Sequence, residues 1–170
     1  MREITRNFLH ILSLKDLKFT KINLRDFFLK KELDFSINLP RFLYKEIGKN
    51  YYWRDRLAWG DKDWLNLISQ NNYQLYVLYN QSHLAGYYEI LVDNDLNFEI
   101  AYLGIFKEFF GKKIGAYLLA HAIENCFMQG AKRVWVHTCT LDHPNALKNY
   151  LARGMTIFKT EKIFFNPENL

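Results

Sequence analysis

The rhythm of apolar and polar positions changes several times along the chain, and each change marks an element. Residues 73–79 (YQLYVLY) and 83–92 (HLAGYYEILV) are rich in tyrosine, leucine and valine and are separated by Asn80, Gln81 and Ser82. This predicts two antiparallel strands joined by a tight turn. Residues 98–106 read as a third, central strand. At 114–129 the rhythm becomes helical: Ile114, Leu118, Ala122 and Cys126 recur at spacing four, with Tyr117 one turn along, and Gly130 ends the helix. Val134, Trp135 and Val136 mark the next strand. Pro144 falls in the first turn of a further helix, behind a cap from Asp142 or His143, and Gly154 stops it. Upstream, residues 4–14 and 17–23 alternate enough to be two strands. Pro40 opens a helix to about Gly48, and Gly60 with Asp61 opens another to about Ser69. Residues 155–159 and 161–165 read as two short closing strands. Strands, helix, strand, helix and strand around one sheet make an α/β sandwich rather than a helical bundle.

Composition narrows the class. At 170 residues, with 49% hydrophobic and 17% aromatic content, the chain suits a single folded domain over residues 1–170. No segment has the roughly 18 apolar residues needed to cross a membrane, and MREITRNF does not read as a signal peptide. Cys126 and Cys139 are the only cysteines, and they read as free thiols in a reducing, cytoplasmic setting. The net charge of +5 suits a polyanionic ligand. Because the lysines and arginines are scattered rather than gathered in a stripe, neither nucleic acid nor a membrane is expected as partner.

Residues 98–119, FEIAYLGIFKEFFGKKIGAYLL, carry the most chemical information. An apolar strand runs into a basic turn with Gly111 and Gly115, and a helix begins at once. Such turns leave backbone N–H groups free at the positive end of a helix, a place for phosphate. Lys107, Lys112 and Lys113 add full charges there.

Together with residues 142–155, DHPNALKNYLARGM, this segment resembles the GNAT superfamily of acetyl-coenzyme A-dependent N-acetyltransferases. The superfamily loop, arginine or glutamine, two residues, glycine, one residue, then glycine or alanine, falls on residues 110–115. The later alanine, tyrosine and glycine–aromatic positions fall on Ala146, Tyr150 and Gly154 with Met155. The resemblance covers about residues 73–165, with a looser echo of the first strand and paired helices. Three positions depart from the pattern: Phe110 replaces the arginine or glutamine, Lys113 the first glycine, and His143 an asparagine.

The resemblance implies a mixed, mostly antiparallel central sheet with helices on both faces. It implies acetyl-coenzyme A as cosubstrate, an amine acceptor (a small molecule or a peptide), and direct transfer in a ternary complex. The backbone of Leu103, Gly104, Ile105 and Phe106 would hold the pantetheine arm and polarise the thioester. Phe110, Gly111, Lys112, Lys113, Ile114, Gly115 and Ala116 would cradle the pyrophosphate, with His143 and Asn145 beside the coenzyme. Glu99 matches the position of a glutamate base in several such enzymes, Glu89 on the neighbouring strand is the reserve, and Tyr150 matches the general acid. A base is useful because alkyl amines have pKa values near about 10. A non-catalytic acyl-coenzyme A-binding module of the same fold is the alternative.

Two further groupings stand out. His137, Cys139 and His143 have metal-ligand chemistry, and His137 and Cys139 share a strand face. They lack a second paired cluster, so no metal is expected. Residues 44–64 concentrate Tyr44, Tyr51, Tyr52, Trp53, Arg54, Asp55, Arg56, Trp59 and Trp64, a set that serves either the acceptor site or the core. An exposed strand at KIFF, 162–165, would allow two copies to pair as a homodimer, and the oligomeric state stays open.

Overall fold

A hairpin of two tyrosine-rich strands lies at the middle of the sheet. In the computed structural model, which describes residues 2–20 and 22–165, β3 (Tyr73–Asn80) and β4 (His83–Val92) pair antiparallel. Gln81, at φ 53°, takes the left-handed conformation that a two-residue turn demands. The cross-strand rings of Tyr76 and Tyr88 stack 4.6 Å apart. The remaining strands are β1 (Arg2–Ile11), β2 (Phe27–Glu32), β5 (Asn97–Ile105), β6 (Arg133–Cys139) and β7 (Thr156–Phe165). One seven-stranded sheet runs in the order β2-β3-β4-β5-β6-β1-β7, antiparallel except for β5 beside β6. The mixed, mostly antiparallel sheet is the one expected.

Helices cover both faces. On one side α1 (Asn38–Gly48) and α2 (Asp61–Ile68) bury Leu43, Tyr44, Ile47, Trp64 and Leu67 against Tyr73, Leu75, Val77 and Tyr87. On the other, α3 (Ile114–Met128) and α4 (Ala146–Ala152) pack on Leu78, Tyr88, Ile90, Phe98, Ile100 and Val136. The α3 helix is apolar nearly all round, as a helix inside a core must be. It ends at Gly130, φ 90°, where the Ala131 N–H returns to the Cys126 carbonyl at 3.1 Å.

Several sequence expectations are corrected. Residues 17–23 form no strand over the described positions, with residue 21 lying outside them. Ser13 instead caps a short 3-10 turn at Leu14–Asp16, and the Lys18 N–H reaches the Arg153 carbonyl at 3.0 Å. Strand β2 was not anticipated, because FFLKKE does not alternate; it is held at the sheet edge by the stack of Phe28 on Tyr79, 5.0 Å apart. The two closing strands are one, β7, with Phe158 bulged where the register to β1 shifts. Pro144 lies two residues before α4, whose cap is Asn145 rather than Asp142 or His143.

Candidate functional site

Strands β5 and β6 run parallel only from the pair Asn97–Arg133 to the pair Glu99–Trp135, and then part. The cause is visible on the other side of β5. A register shift between Glu89 and Ile90 leaves Ala101 without a partner on β4, and such a bulge bends the strand that carries it. Beyond the fork lies a cleft of about 790 Å³, lined by both parted strands, the turn before α3, the start of α4 and the loop after α1.

Backbone alternation decides which groups of β5 face the gap. The Phe106 N–H donates to the Ala85 carbonyl at 2.9 Å, so it points at β4, and Gly104 points the same way. Leu103 and Ile105 therefore turn their N–H and C=O groups into the cleft. Of residues 103–106, Leu103 and Ile105 turn backbone groups toward the cleft, and Gly104 and Phe106 turn theirs toward β4. Gly104 has a second role, since a Cβ there would collide with Ile47 and press on Trp53. The glycine is required by the packing of α1.

At the other end, residues 111–116 form the turn into α3. Gly111 (φ 78°) and Lys113 (φ 60°) are both left-handed, and the first N–H in this stretch to find a backbone partner is that of Tyr117, on the Lys113 carbonyl. The N–H groups of residues 114–116 have no intrahelical partner, as at any helix start. Asn149 of α4 donates to the Gly115 carbonyl at 3.1 Å and ties the two helices together there. The ring of His143 lies 5.2 Å from Phe110 and 5.6 Å from Tyr51. Lys112 lies over the Phe109 ring and does not line the cleft.

The loop after α1 crosses the opening. Gly48 allows Trp53 to fold back onto the helix end, where a Cβ would sit 2.6 Å from that of Trp53. The Trp53 indole then reaches Asp142 at 3.4 Å. The other Asp142 oxygen accepts from the Thr138 hydroxyl (2.6 Å) and the Cys139 N–H (3.0 Å), closing the turn out of β6. The dense aromatic segment thus divides. Tyr44 and Trp64 are core, whereas Tyr51, Tyr52, Trp53, Arg54 and Asp55 line the cleft.

The two candidate bases lie outside the cleft lining. Glu89 is fully buried with one oxygen 2.7 Å from Arg56, whose guanidinium lies over the rings of Tyr102 and Trp59 at 4.5 and 5.0 Å. It is a structural ion pair. Glu99 sits half-buried at the fork; burial raises its pKa and Arg56 opposes that shift. Tyr150 does line the cleft, and burial, then Asp142, push its phenol well up.

His137 lines the cleft too. Burial, with Arg6 adding, lowers its pKa, while Asp142, Asp55 and Glu161 oppose. Burial raises the Cys139 thiol, which makes it a poor nucleophile. Among the described residues, no group of three or more His, Cys, Asp and Glu is placed to hold a metal ion. Motif reading missed Arg6, Ile4 and Asn149 at the cleft; the first two come from β1, which reaches it only through sheet order.

Comparison with known proteins agrees with this fold. The sequence profile described as the Acetyltransferase (GNAT) family matches residues 40–155. No curated protein matches the chain by sequence. A GCN5-related N-acetyltransferase from Sphaerobacter thermophilus superposes with a TM-score of 0.68 at 14% identity, over 92% of this chain and 49% of that one. Another from Kribbella flavida gives 0.65 at 14% identity, over 92% and 55%. The chain thus spans about half the length of both. An aminoglycoside acetyltransferase from an uncultured soil metagenomic sample, solved with trehalose, gives 0.64 at 17% identity over 84% of this chain and 96% of that one.

Proposed function

Because the chain belongs to the GNAT acetyltransferase family, we propose that it moves the acetyl group of acetyl-coenzyme A to a primary amine by direct transfer. The observation that carries this reading is the fork of β5 and β6, which presents free backbone donors to a cleft that ends at the turn into α3. The pantetheine arm lies along β5, with the thioester carbonyl polarised by the N–H of Leu103 or Ile105. The pyrophosphate sits on the N–H groups of residues 111–116, and Lys113, in the left-handed conformation that the pattern gives to glycine, adds its charge to theirs.

The amine loses its proton and attacks the carbonyl carbon; the new C–N bond forms and the C–S bond breaks. Two groups are placed for the proton. Glu99, at the fork, acts through water, and its raised pKa suits a base near neutral pH. His137 acts directly on the cleft, and its lowered pKa keeps it neutral. Tyr150 gives its phenolic proton to the departing thiolate. Burial raises the Tyr150 pKa, so the phenol holds its proton at neutral pH until the thiolate takes it.

The whole of residues 1–170 acts as one domain, in a reducing, cytoplasmic compartment that suits its free thiols. The position of Glu99 outside the cleft favours a second reading, a non-catalytic acyl-coenzyme A-binding module. Titration with acetyl-coenzyme A followed by an amine screen decides. Micromolar binding with acceptor-dependent thiol release supports the enzyme, binding without release supports the module, and no binding at millimolar ligand sinks both.

A further inference from the structure

The charged side chains of the cleft fall into two groups. Its lining has four basic side chains (Arg6, Arg54, Lys113, Lys148) against two acidic ones (Asp55, Asp142). Both acids are engaged: Asp142 by Thr138, Cys139 and Trp53, and Asp55 by the Tyr102 phenol at 3.3 Å. Lys113 and Lys148 belong to the start of α3 and to α4. Arg6, on β1, and Arg54 and Asp55, on the loop after α1, belong to neither.

Arg6 is the informative residue. It stands mid-sheet in β1, in register with Cys139 on one side and Glu161 on the other. Its Nε is sealed from solvent without a hydrogen-bond partner, and among the described residues no carboxylate lies within ion-pair distance of its guanidinium. Glu161 is within electrostatic reach but is bonded to Lys159 at 2.5 Å. Ile4 and Ile163, paired with each other on the same two strands, also line the cleft. A guanidinium that lines an open cleft without a carboxylate partner is available to an anionic acceptor. Its fork geometry suits a carboxylate or a phosphate.

We propose that the acceptor is an amine carrying its own anionic group, a carboxylate or phosphate held by Arg6, on a body that packs against Trp53 and Tyr102. This rests on the acetyl-transfer reading above. A polycationic amine offers Arg6 no anion and sets further ammonium groups beside its guanidinium, and is selected against.

The test measures acetyl-coenzyme A consumption with phenylalanine and phenethylamine, which differ by the carboxylate, with glucosamine 6-phosphate and glucosamine, which differ by the phosphate, and with spermine. At least one anionic member exceeds its neutral counterpart in kcat/KM by about tenfold or more, as expected for one charge-assisted hydrogen bond. The pair showing the larger ratio identifies the anion. Arg6→Met brings that ratio towards one, and Arg6→Lys recovers part of it. Preference for spermine or for the neutral amines, or a ratio unmoved by Arg6→Met, overturns the proposal. Titrating the same amines into the protein, with and without coenzyme A, separates the two ideas. If nothing turns over but the anionic amines still bind more tightly in an Arg6-dependent way, the transfer reading fails and the anion site stands. If affinity ignores the anion, the anion site fails whatever the turnover.

Discussion

The indole of Trp53 and the carboxylate of Asp142 join, at 3.4 Å, two segments that nothing in the sheet connects: the loop after α1 and the turn after β6. Because Asp142 also takes the Thr138 hydroxyl and the Cys139 N–H, removing it strands three donors at once. Asp142→Ala is expected to cost about 2 kcal/mol of stability and to raise the amine KM as the loop loosens. Trp53→Phe, which breaks only the link across the cleft, raises the amine KM with a smaller loss of stability. Urea unfolding beside steady-state kinetics separates the two.

Glu99 ties pH, stability and activity together. Its folded pKa is raised above the unfolded value, mainly by burial, so the folded state holds the proton more tightly. Stability from this group is therefore fully present below the unfolded pKa and is lost as pH rises through the folded one. Glu99→Gln mimics the protonated form. It is expected to match the parent in stability at pH 4, to exceed it at pH 8, and to lose about a hundredfold in kcat. Equal kcat for the variant assigns the base to His137, and His137→Asn then carries the loss.

The phenol of Tyr150 is buried, and only its proton matters to the chemistry. Tyr150→Phe keeps the ring that packs under α4. It is expected to lower kcat by about a hundredfold while leaving acetyl-coenzyme A affinity within about threefold. Isothermal titration alongside turnover checks both halves.

Lys113 holds a left-handed backbone with a side chain that is not glycine, at a cost on the order of 1 kcal/mol. Two substitutions separate backbone from charge. Lys113→Gly relieves the strain and is expected to raise the thermal midpoint while slightly weakening coenzyme binding. Lys113→Glu keeps the strain, reverses the charge and weakens coenzyme binding by about tenfold or more. A lowered midpoint for Lys113→Gly would refute the strain argument.

The hairpin, the central strand and all four helices were legible in the chain because their periodicity is local. Tyr76 opposite Tyr88, or Ile114 above Leu118, needs no knowledge of the rest of the fold. What stayed hidden is non-local. Alternation predicts a strand near residues 4–14 but not that it inserts between β6 and β7, and so Arg6 was not seen as a cleft residue. The bulge at Ala101 changes which residues of β5 face which way beyond it, a switch invisible in a run of apolar letters. The motif located the cleft through residues 103–105, 110–111, 113–116 and Tyr150. It placed Glu99 by analogy, while the structure sets it at the fork and outside the lining.

The placement of β1 has a consequence for how the molecule comes into being. Thr5 and Thr140 meet across the β1–β6 junction although 135 positions separate them. At about 5–20 residues per second on the ribosome, β1 waits on the order of ten seconds for its neighbours. In that interval its apolar residues Ile4, Phe8, Leu9 and Ile11 have no native partner. The β2–β5 part of the sheet can therefore set while β1 still waits for the two strands that flank it.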